Sequence, residues 1–137
     1  MVLDIEKAVK EYLEDNMITV VGHGNATIEI HRRRFPDDSQ AEGVVVYAEL
    51  REGNGDTNGD VESVAIRVHI RTHNEESSFT LFQNVDKLLD NMVEKNLDDD
   101  TQLCLCHRNS GPNPYMGPGD GMHYETALYE ATVRRIL

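Results

Sequence analysis

The sequence lacks several features that identify common classes of protein. Its 137 residues include no tryptophan, two cysteines and four lysines. Because Cys104 and Cys106 lie two positions apart, they predict reduced thiols rather than a disulfide framework. No apolar run approaches the ~20 residues of a membrane span, and no basic segment followed by an apolar one predicts a signal peptide.

Acidic residues dominate what is present, with 25 Asp and Glu against 13 Lys and Arg and a formal net charge of −12. Such a surface lacks the clustered cations that neutralise phosphates, which argues against general affinity for nucleic acid. Salt screens the self-repulsion of so many like charges. We therefore treat a halophilic origin as one hypothesis and an ordinary acidic cytosolic protein as the other. The length predicts a single domain over residues 1–137.

Hydrophobic periodicity predicts two amphipathic helices, over residues 2–15 and about 75–94. Asn74 is the expected N-cap of the second helix and Asn96 its expected C-cap. Between and after the helices, apolar segments predict strands at 26–32, 44–50, 61–72, 102–108 and 122–134, with a further β-rich segment at 17–24. Short connections favour antiparallel pairing. The fold class we expect is α+β, with a single mixed or antiparallel β-sheet and two helices packed on one face.

Residues 109–121 are so rich in glycine and proline that we expect a loop, and Tyr115 and Met116 near its middle are available to a neighbour. The loop lacks the Lys-Ser/Thr of a phosphate-binding P-loop and is not followed by a helix. Two other predicted loops cover 32–43 and 51–60 and are also positioned to contact neighbours.

Two segments resemble metal sites without completing them. Residues Asp56–Asp60 imitate the start of a calcium loop, but Val61 and Arg67 stand where glycine and glutamate are needed. The "CLCH" segment at 104–107 offers two thiols and an imidazole but has no second pair of ligands nearby. We therefore predict no metal and no cofactor.

No catalytic signature is present either. The six histidines lie in no recognisable motif, and Ser110 lacks the pattern of a nucleophile elbow. We predict that the protein is not an enzyme. Two alternatives stay open: a small enzyme that uses the 109–121 loop near His107 and His123, and a metal- or ligand-binding module at the "CLCH" segment or at Asp56–Asp60.

Basic residues form two sets, the "HRRR" run at 31–34 and the polar face of the 61–72 strand. For the "HRRR" run three alternatives stay open, namely contact with nucleic acid, contact with an acidic partner, and a solvated strand end. The strand set is expected to face an acidic neighbour, including another copy of the chain. The predicted subunit or partner contacts are Arg32, Arg33, Arg34, Arg67, His69, Arg71, Tyr115 and Met116.

Four segments taken together resemble a known family. They are "FPDDSQAEGVVVYAEL", "VAIRVHIRTHNEESSFTLFQNVDKLLDNM", the glycine/proline loop and "GMHYETALYEATVRRIL". This order is similar to that of the small tail-terminator (tail-completion, "minor capsid") proteins of long-tailed phages and related archaeal viruses, and it covers about residues 2–134. The chain departs from the family in its glycine-rich insert at 53–60, its "CLCH" strand and its acidic surface.

The resemblance implies a structural role in the virion. Members assemble as homo-oligomeric rings, commonly hexamers, on the last ring of the tail tube protein, after assembly in the host cytoplasm. They stop tube growth and present a surface to the head-completion (neck) proteins, while genome DNA passes through the lumen without specific recognition. No membrane or cofactor is implied. A head-completion or neck connector protein is the related alternative.

Overall fold

The computed structural model describes residues 4–17, 28–36, 41–50 and 61–136, and this part of the chain is an α+β fold. Two helices accompany one six-stranded sheet, as the sequence predicts. The elements are α1 (Ile5–Met17), β1 (Glu29–Arg32), β2 (Gly43–Leu50), β3 (Val61–Thr72), α2 (Glu75–Leu89), β4 (Met92–Asn96), β5 (Thr101–Tyr115) and β6 (His123–Arg135). The β-rich segment 17–24, apart from Met17 at the end of α1, and the calcium-like segment Asp56–Asp60 lie outside the described residues.

The strands are ordered β1-β2-β3-β6-β5-β4 across the sheet. Four of the five pairings are antiparallel, but β1 and β2 are parallel, with Glu29 opposite Gly43. The expectation of antiparallel pairing is wrong for this pair, because β2 begins beside the first residue of β1 and runs in the same direction. The sheet is therefore mixed.

One face of the sheet packs against both helices and forms the core. Along β3 the residues that face the helices alternate, as expected of a strand with one apolar side. The buried residues of this cluster include Val9, Leu13, Val44, Val46, Val64, Ile66, Val68, Ile70, Leu81, Val85, Leu89, Leu103, Tyr129 and Val133. We call the opposite side of the sheet the outer face; among the described residues, neither helix packs on it.

Helix α2 is shorter than the predicted 75–94. Its start is as expected, because the Asn74 side chain accepts a hydrogen bond from the Ser77 amide at 2.8 Å. The helix ends at Leu89, however, since Asp90 is extended and Asn91 has φ 57°, a conformation that asparagine tolerates well. The chain then enters β4, so the prediction that Asn96 caps the helix is wrong.

Strand β5 extends well beyond the predicted 102–108 and takes in half of the glycine/proline segment. It pairs with β6 as far as Tyr115, with register shifts along the way. Gly111 makes this possible, since its φ is +97° and a Cβ there would lie 2.6 Å from the Thr126 carbonyl oxygen. Only residues 116–122 connect the two strands.

A β-bulge at Cys104 changes which side chains face the core. Regular alternation along a strand would place both thiols on one face and Leu103 and Leu105 on the other. Instead, the register shift between Leu103 and Leu105 leaves Cys104 unpaired, so that Leu103 and Cys106 both point inward. Leu105 is left 50% exposed on the outer face.

Candidate interaction surface on the outer face

Strand alternation on β3 brings Arg67, His69 and Arg71 to the outer face, as predicted. The three side chains have different surroundings. Arg67 is exposed, His69 is half-buried and Arg71 is only 3% exposed. The sequence pattern alone treats them as one basic set, whereas the structure separates one exposed cation from two side chains engaged in packing.

Arg71 holds the segment that follows β1 against the sheet. Its Nε and Nη2 donate to the Ala41 carbonyl oxygen at 3.0 and 2.7 Å. Its guanidinium also lies 4.0 Å from the centre of the Phe35 ring and donates to the Tyr124 hydroxyl. The guanidinium thus stacks on one side chain and donates hydrogen bonds to two other residues, which leaves it little freedom to turn toward a partner. Arg71 is therefore a packing residue within the chain itself.

Aromatic rings anchor the connection between β5 and β6 to the outer face. We call this connection together with Tyr115, residues 115–122, the tip. Tyr115 packs edge-on against His69 at a centroid distance of 5.6 Å and lies 5.5 Å from Tyr124. Gly117 lies directly on the Tyr124 ring, where any Cβ would collide with it. The Tyr124 hydroxyl donates to the Asp120 carboxylate, and this bond lowers the pKa of that carboxyl.

The tip therefore presents Met116 on a fixed support. Met116 is 95% exposed, while the neighbouring Tyr115 is 38% exposed and partly covered by its contacts. A large apolar side chain this exposed is unusual unless another surface covers it. The prediction that residues 115 and 116 are available to a neighbour is compatible with these positions, with Met116 the more accessible of the two.

The surroundings of His69 favour its neutral form. Burial lowers its pKa from the usual value, and the charge of Arg67 lowers it further. Its Nδ1 and the Oγ1 of Thr126, directly opposite on β6, are buried, and neither accepts nor donates a hydrogen bond among the described residues. His69 is thus a ring for Tyr115 to pack on rather than a third cation.

The "HRRR" run is tied to the start of α1. Arg32 Nη2 lies 2.8 Å from Asp4 Oδ1, and Arg32 Nε lies 3.0 Å from Glu6 Oε1. Arg33 Nε lies 3.2 Å from the same Glu6 oxygen. Glu6 is 4% exposed and also accepts from the Ala48 amide at 3.1 Å, so its buried charge is fully paired.

Arg33 also borders the outer face. Its guanidinium lies 5.4 Å from the Tyr47 ring centre, and its side chain is 66% exposed. Arg34 is exposed as well. A cleft of about 380 Å³ lies between Arg32, Arg33, α1, the end of β2 and the first half of β3. Its lining residues are Asp4, Ile5, Glu6, Arg32, Arg33, Ala48, Glu49, Leu50 and Val64.

A row of side chains around Arg67 completes the outer face, and sequence reasoning missed it. Tyr47 on β2 and Leu128 on β6 are the cross-strand partners of Arg67, and both are half-buried. We call these three residues the Arg67 row. Only the strand order and register place them side by side, so the alternation of β3 did not reveal the row.

The residues of the alternative enzyme hypothesis are not brought together. His107 is opposite Glu130, seven residues along β6 from His123, a separation of about 23 Å at ~3.3 Å per residue. The fully buried Ser78 donates to the Glu125 carboxylate, and His123 Nε2 lies 3.6 Å from that carboxylate. The Ser78 hydroxyl therefore faces the Glu125 carboxylate and is closed to solvent, an arrangement that does not suit a nucleophile.

The "CLCH" segment is also divided between two sides of the sheet. Burial raises the pKa of the Cys106 thiol to about 12, with Asp90 and Asp86 adding to the effect. His107 is exposed on the outer face. Within residues 4–17, 28–36, 41–50 and 61–136, no three His, Cys, Asp or Glu side chains are grouped as metal ligands would be.

Two comparisons with known proteins, one with family models and one with curated proteins, found no relative. No protein-family model matches the chain, and a search of curated proteins gave no significant match. Of the two described helices, neither is long and apolar enough to cross a membrane.

Proposed function

We propose that this protein is a viral tail terminator, which caps the tail tube as a homo-oligomeric ring, a hexamer in the simplest case, and joins the tail to the head-completion proteins. The proposal rests on the order of segments that resembles the tail-terminator family and on the surfaces that the fold leaves open. It makes the protein a virion component with no catalytic role, assembled in the host cytoplasm.

The distribution of exposed apolar side chains carries the proposal. Exposed leucine or phenylalanine residues are common singly, but here they occupy four different sides of the subunit. They are Leu50 at the cleft, Phe79 on α2, Val93 and Leu105 at the β4 edge, and Tyr115 and Met116 at the tip. A ring subunit between tube and head has two lateral and two axial neighbours, so it needs apolar contacts on several sides.

The architecture supports the same role. Both helices lie on one face of the sheet, so one side of each subunit is helical and the opposite side is the outer face of the sheet. Two such sides can form the head-to-tail contacts from which closed rings are built. The tip is fixed by Tyr124 and Arg71, and a rigid contact loses less conformational entropy when a partner binds.

Growth of tail tubes tests the proposal. The tail tube protein of the same virus is polymerised with and without this protein, and tube lengths are measured by electron microscopy. We expect added protein to stop elongation and shorten the tubes. We expect Met116→Asp to raise the protein concentration needed to shorten the tubes about tenfold, because a loss of ~1.4 kcal/mol of contact energy corresponds to a tenfold weaker affinity. Asn96→Asp, an exposed change with the same charge on β4, is the control.

Two outcomes would contradict the proposal. Tubes that grow to the same length at every concentration of the protein would show that it does not terminate them. Binding to DNA-filled heads without any effect on tubes would instead identify a neck connector.

A further inference from the structure

Arg67 is an exposed cation that the described part of this acidic chain leaves unpaired. It projects from the middle of β3 on the outer face, and no described side chain forms a hydrogen bond or ion pair with it. Arg32, Arg33 and Arg108 each lie within 4 Å of a carboxylate, and Arg71 bonds a carbonyl oxygen. Unlike these arginines, Arg67 is available to a partner, as is the exposed Arg34.

The surroundings of Arg67 fit an apolar, acidic partner. Tyr47 and Leu128 flank it with half-buried apolar surface, and the exposed guanidinium of Arg33 lies over the Tyr47 ring. The neighbouring row of the face is acidic, because Glu49 and Glu130 flank Ala65. Negative groups of a partner are therefore repelled from that row and attracted toward the Arg67 row.

The chain carries a surface with the complementary character on α2. Glu75, Glu76 and Phe79 are all exposed, and spacings of three and four residues place them on one side of the helix. Phe79 is 59% exposed. We call these three residues the α2 acidic surface. It offers two carboxylates beside one aromatic ring.

We infer that the Arg67 row of one subunit binds the α2 acidic surface of the next subunit in the ring. This inference rests on the proposed function and names its lateral contact. The guanidinium of Arg67 meets the Glu75 and Glu76 carboxylates, and Phe79 packs on the apolar surface that Leu128 presents beside Arg67. Arginine suits such a site because its planar cation pairs with carboxylates and stacks on aromatic rings.

The positions of the two surfaces make the contact heterologous, which is the kind of contact that rings require. Helix α2 packs on the inner face of the sheet, and the Arg67 row lies on the outer face, so the two surfaces point away from each other. A contact between two different surfaces is heterologous, and it builds a closed ring when the rotation from one subunit to the next divides a full turn, or an open filament when it does not. A two-fold contact of the Arg67 row with itself would bring like charges together, which disfavours a simple dimer.

Charge reversal on each side tests the pairing. We expect Arg67→Glu alone and Glu75→Arg/Glu76→Arg alone each to raise the apparent dissociation constant of assembly at least about tenfold, measured by size-exclusion chromatography with light scattering. A 1:1 mixture of the two variants should assemble again. In the mixture the glutamate introduced at position 67 meets the arginines introduced at positions 75 and 76. At the other contact, the unchanged Arg67 of one variant meets the unchanged Glu75 and Glu76 of the other. The two variants therefore alternate around the ring.

Three further variants keep the test specific. Phe79→Ser removes the aromatic group without altering the charges in the first turn of α2, and we expect it also to weaken assembly. Arg134→Glu and Asp99→Arg/Asp100→Arg reverse the same numbers of exposed charges elsewhere and should assemble as the wild type does. Circular dichroism checks that every variant is folded at the assay temperature.

The outcomes separate this inference from the proposed function. If the wild type assembles and shortens tubes but both charge reversals assemble equally well, the contact is elsewhere and the terminator role stands. If each variant fails alone and their mixture also fails, the pairing of these two surfaces is wrong. If the wild type neither assembles nor acts on tubes at any concentration, the proposed function and this inference are both wrong.

Discussion

At the scale of single residues, Arg67 and Arg71 show how one pattern produces two roles. They lie four positions apart on the same strand face, and nothing in their local sequence distinguishes them. Arg71 is buried because Phe35 and the Ala41 carbonyl reach it from a segment about 30 positions earlier in the chain. Arg67 has the half-buried Tyr47 and Leu128 as neighbours and stays exposed. Sequence alternation predicts which residues share a face, but not what covers each of them.

His69 should make the stability of the fold depend on pH. Its pKa is lowered in the folded state, so folding favours the neutral ring. The sign follows from linkage: this contribution is fully present above the unfolded pKa of about 6.5 and is lost as pH falls toward the lower folded pKa. Unfolding by urea at pH 7.5 and at pH 5 measures it.

We expect His69→Phe, which keeps a ring for Tyr115 to pack against, to lose part of the stability difference between those two pH values. His107→Phe removes an exposed histidine and serves as the matched control. An unchanged difference in the His69 variant would show that the packing of Tyr115 does not depend on a neutral imidazole.

At the scale of elements, the two ends of α2 differ in how well the sequence predicts them. The N-terminus is signalled by Asn74, whose capping hydrogen bond is local. The C-terminus is decided by tertiary structure, since Met92 and Val93 pair with Cys106 and Leu105 on β5. Apolar periodicity continues past Leu89 in the sequence, but the pairing with β5 draws these residues into a strand.

Asparagine variants at the two predicted caps should therefore differ. Asn74→Ala removes the acceptor for the Ser77 amide, and we expect it to lower the free energy of unfolding by about 1 kcal/mol. Asn96→Ala, on the exposed edge strand, should change it by less than about 0.5 kcal/mol. Urea denaturation measures both, and an equal loss in the two variants would contradict the observed ends of α2.

Strand β5 gives a second case in which pairing overrides composition. Its glycines and prolines predicted a loop, yet the strand continues to Tyr115 because β6 supplies a long partner and Gly111 supplies the close approach. Alternation on β6 was visible in the sequence, but the register that extends β5 was not. The Arg67 row also depends on long-range register, so the sequence did not predict it. The bulge at Cys104 decides which cysteine is buried, and the sequence did not predict that bulge either.

At the scale of the whole molecule, composition and helix–strand order predict the α+β class correctly, while surfaces depend on register. The charge of −12 has a consequence for the entire fold. Mutual repulsion of acidic groups destabilises the compact state at low ionic strength, and salt shortens the range of that repulsion to about 3 Å at 1 M.

Salt should therefore stabilise the protein. Relief of about 1 kcal/mol of repulsion would raise the Tm by roughly 2–8 °C for a domain of this size. Melting followed by circular dichroism in 0.05 M and 2 M potassium chloride measures the change. A Tm that does not rise would contradict both the importance of the acidic surface and the hypothesis of a halophilic origin.

Cryo-electron microscopy of tube ends shows whether the protein caps the tail tube as a ring, as we propose. Tubes are assembled with the protein, and density is averaged separately for the two ends and for the body of the tube. We expect one added ring at a single end, formed by a fixed number of copies, six in the simplest case. Bare ends, or copies distributed along the tube, would contradict it.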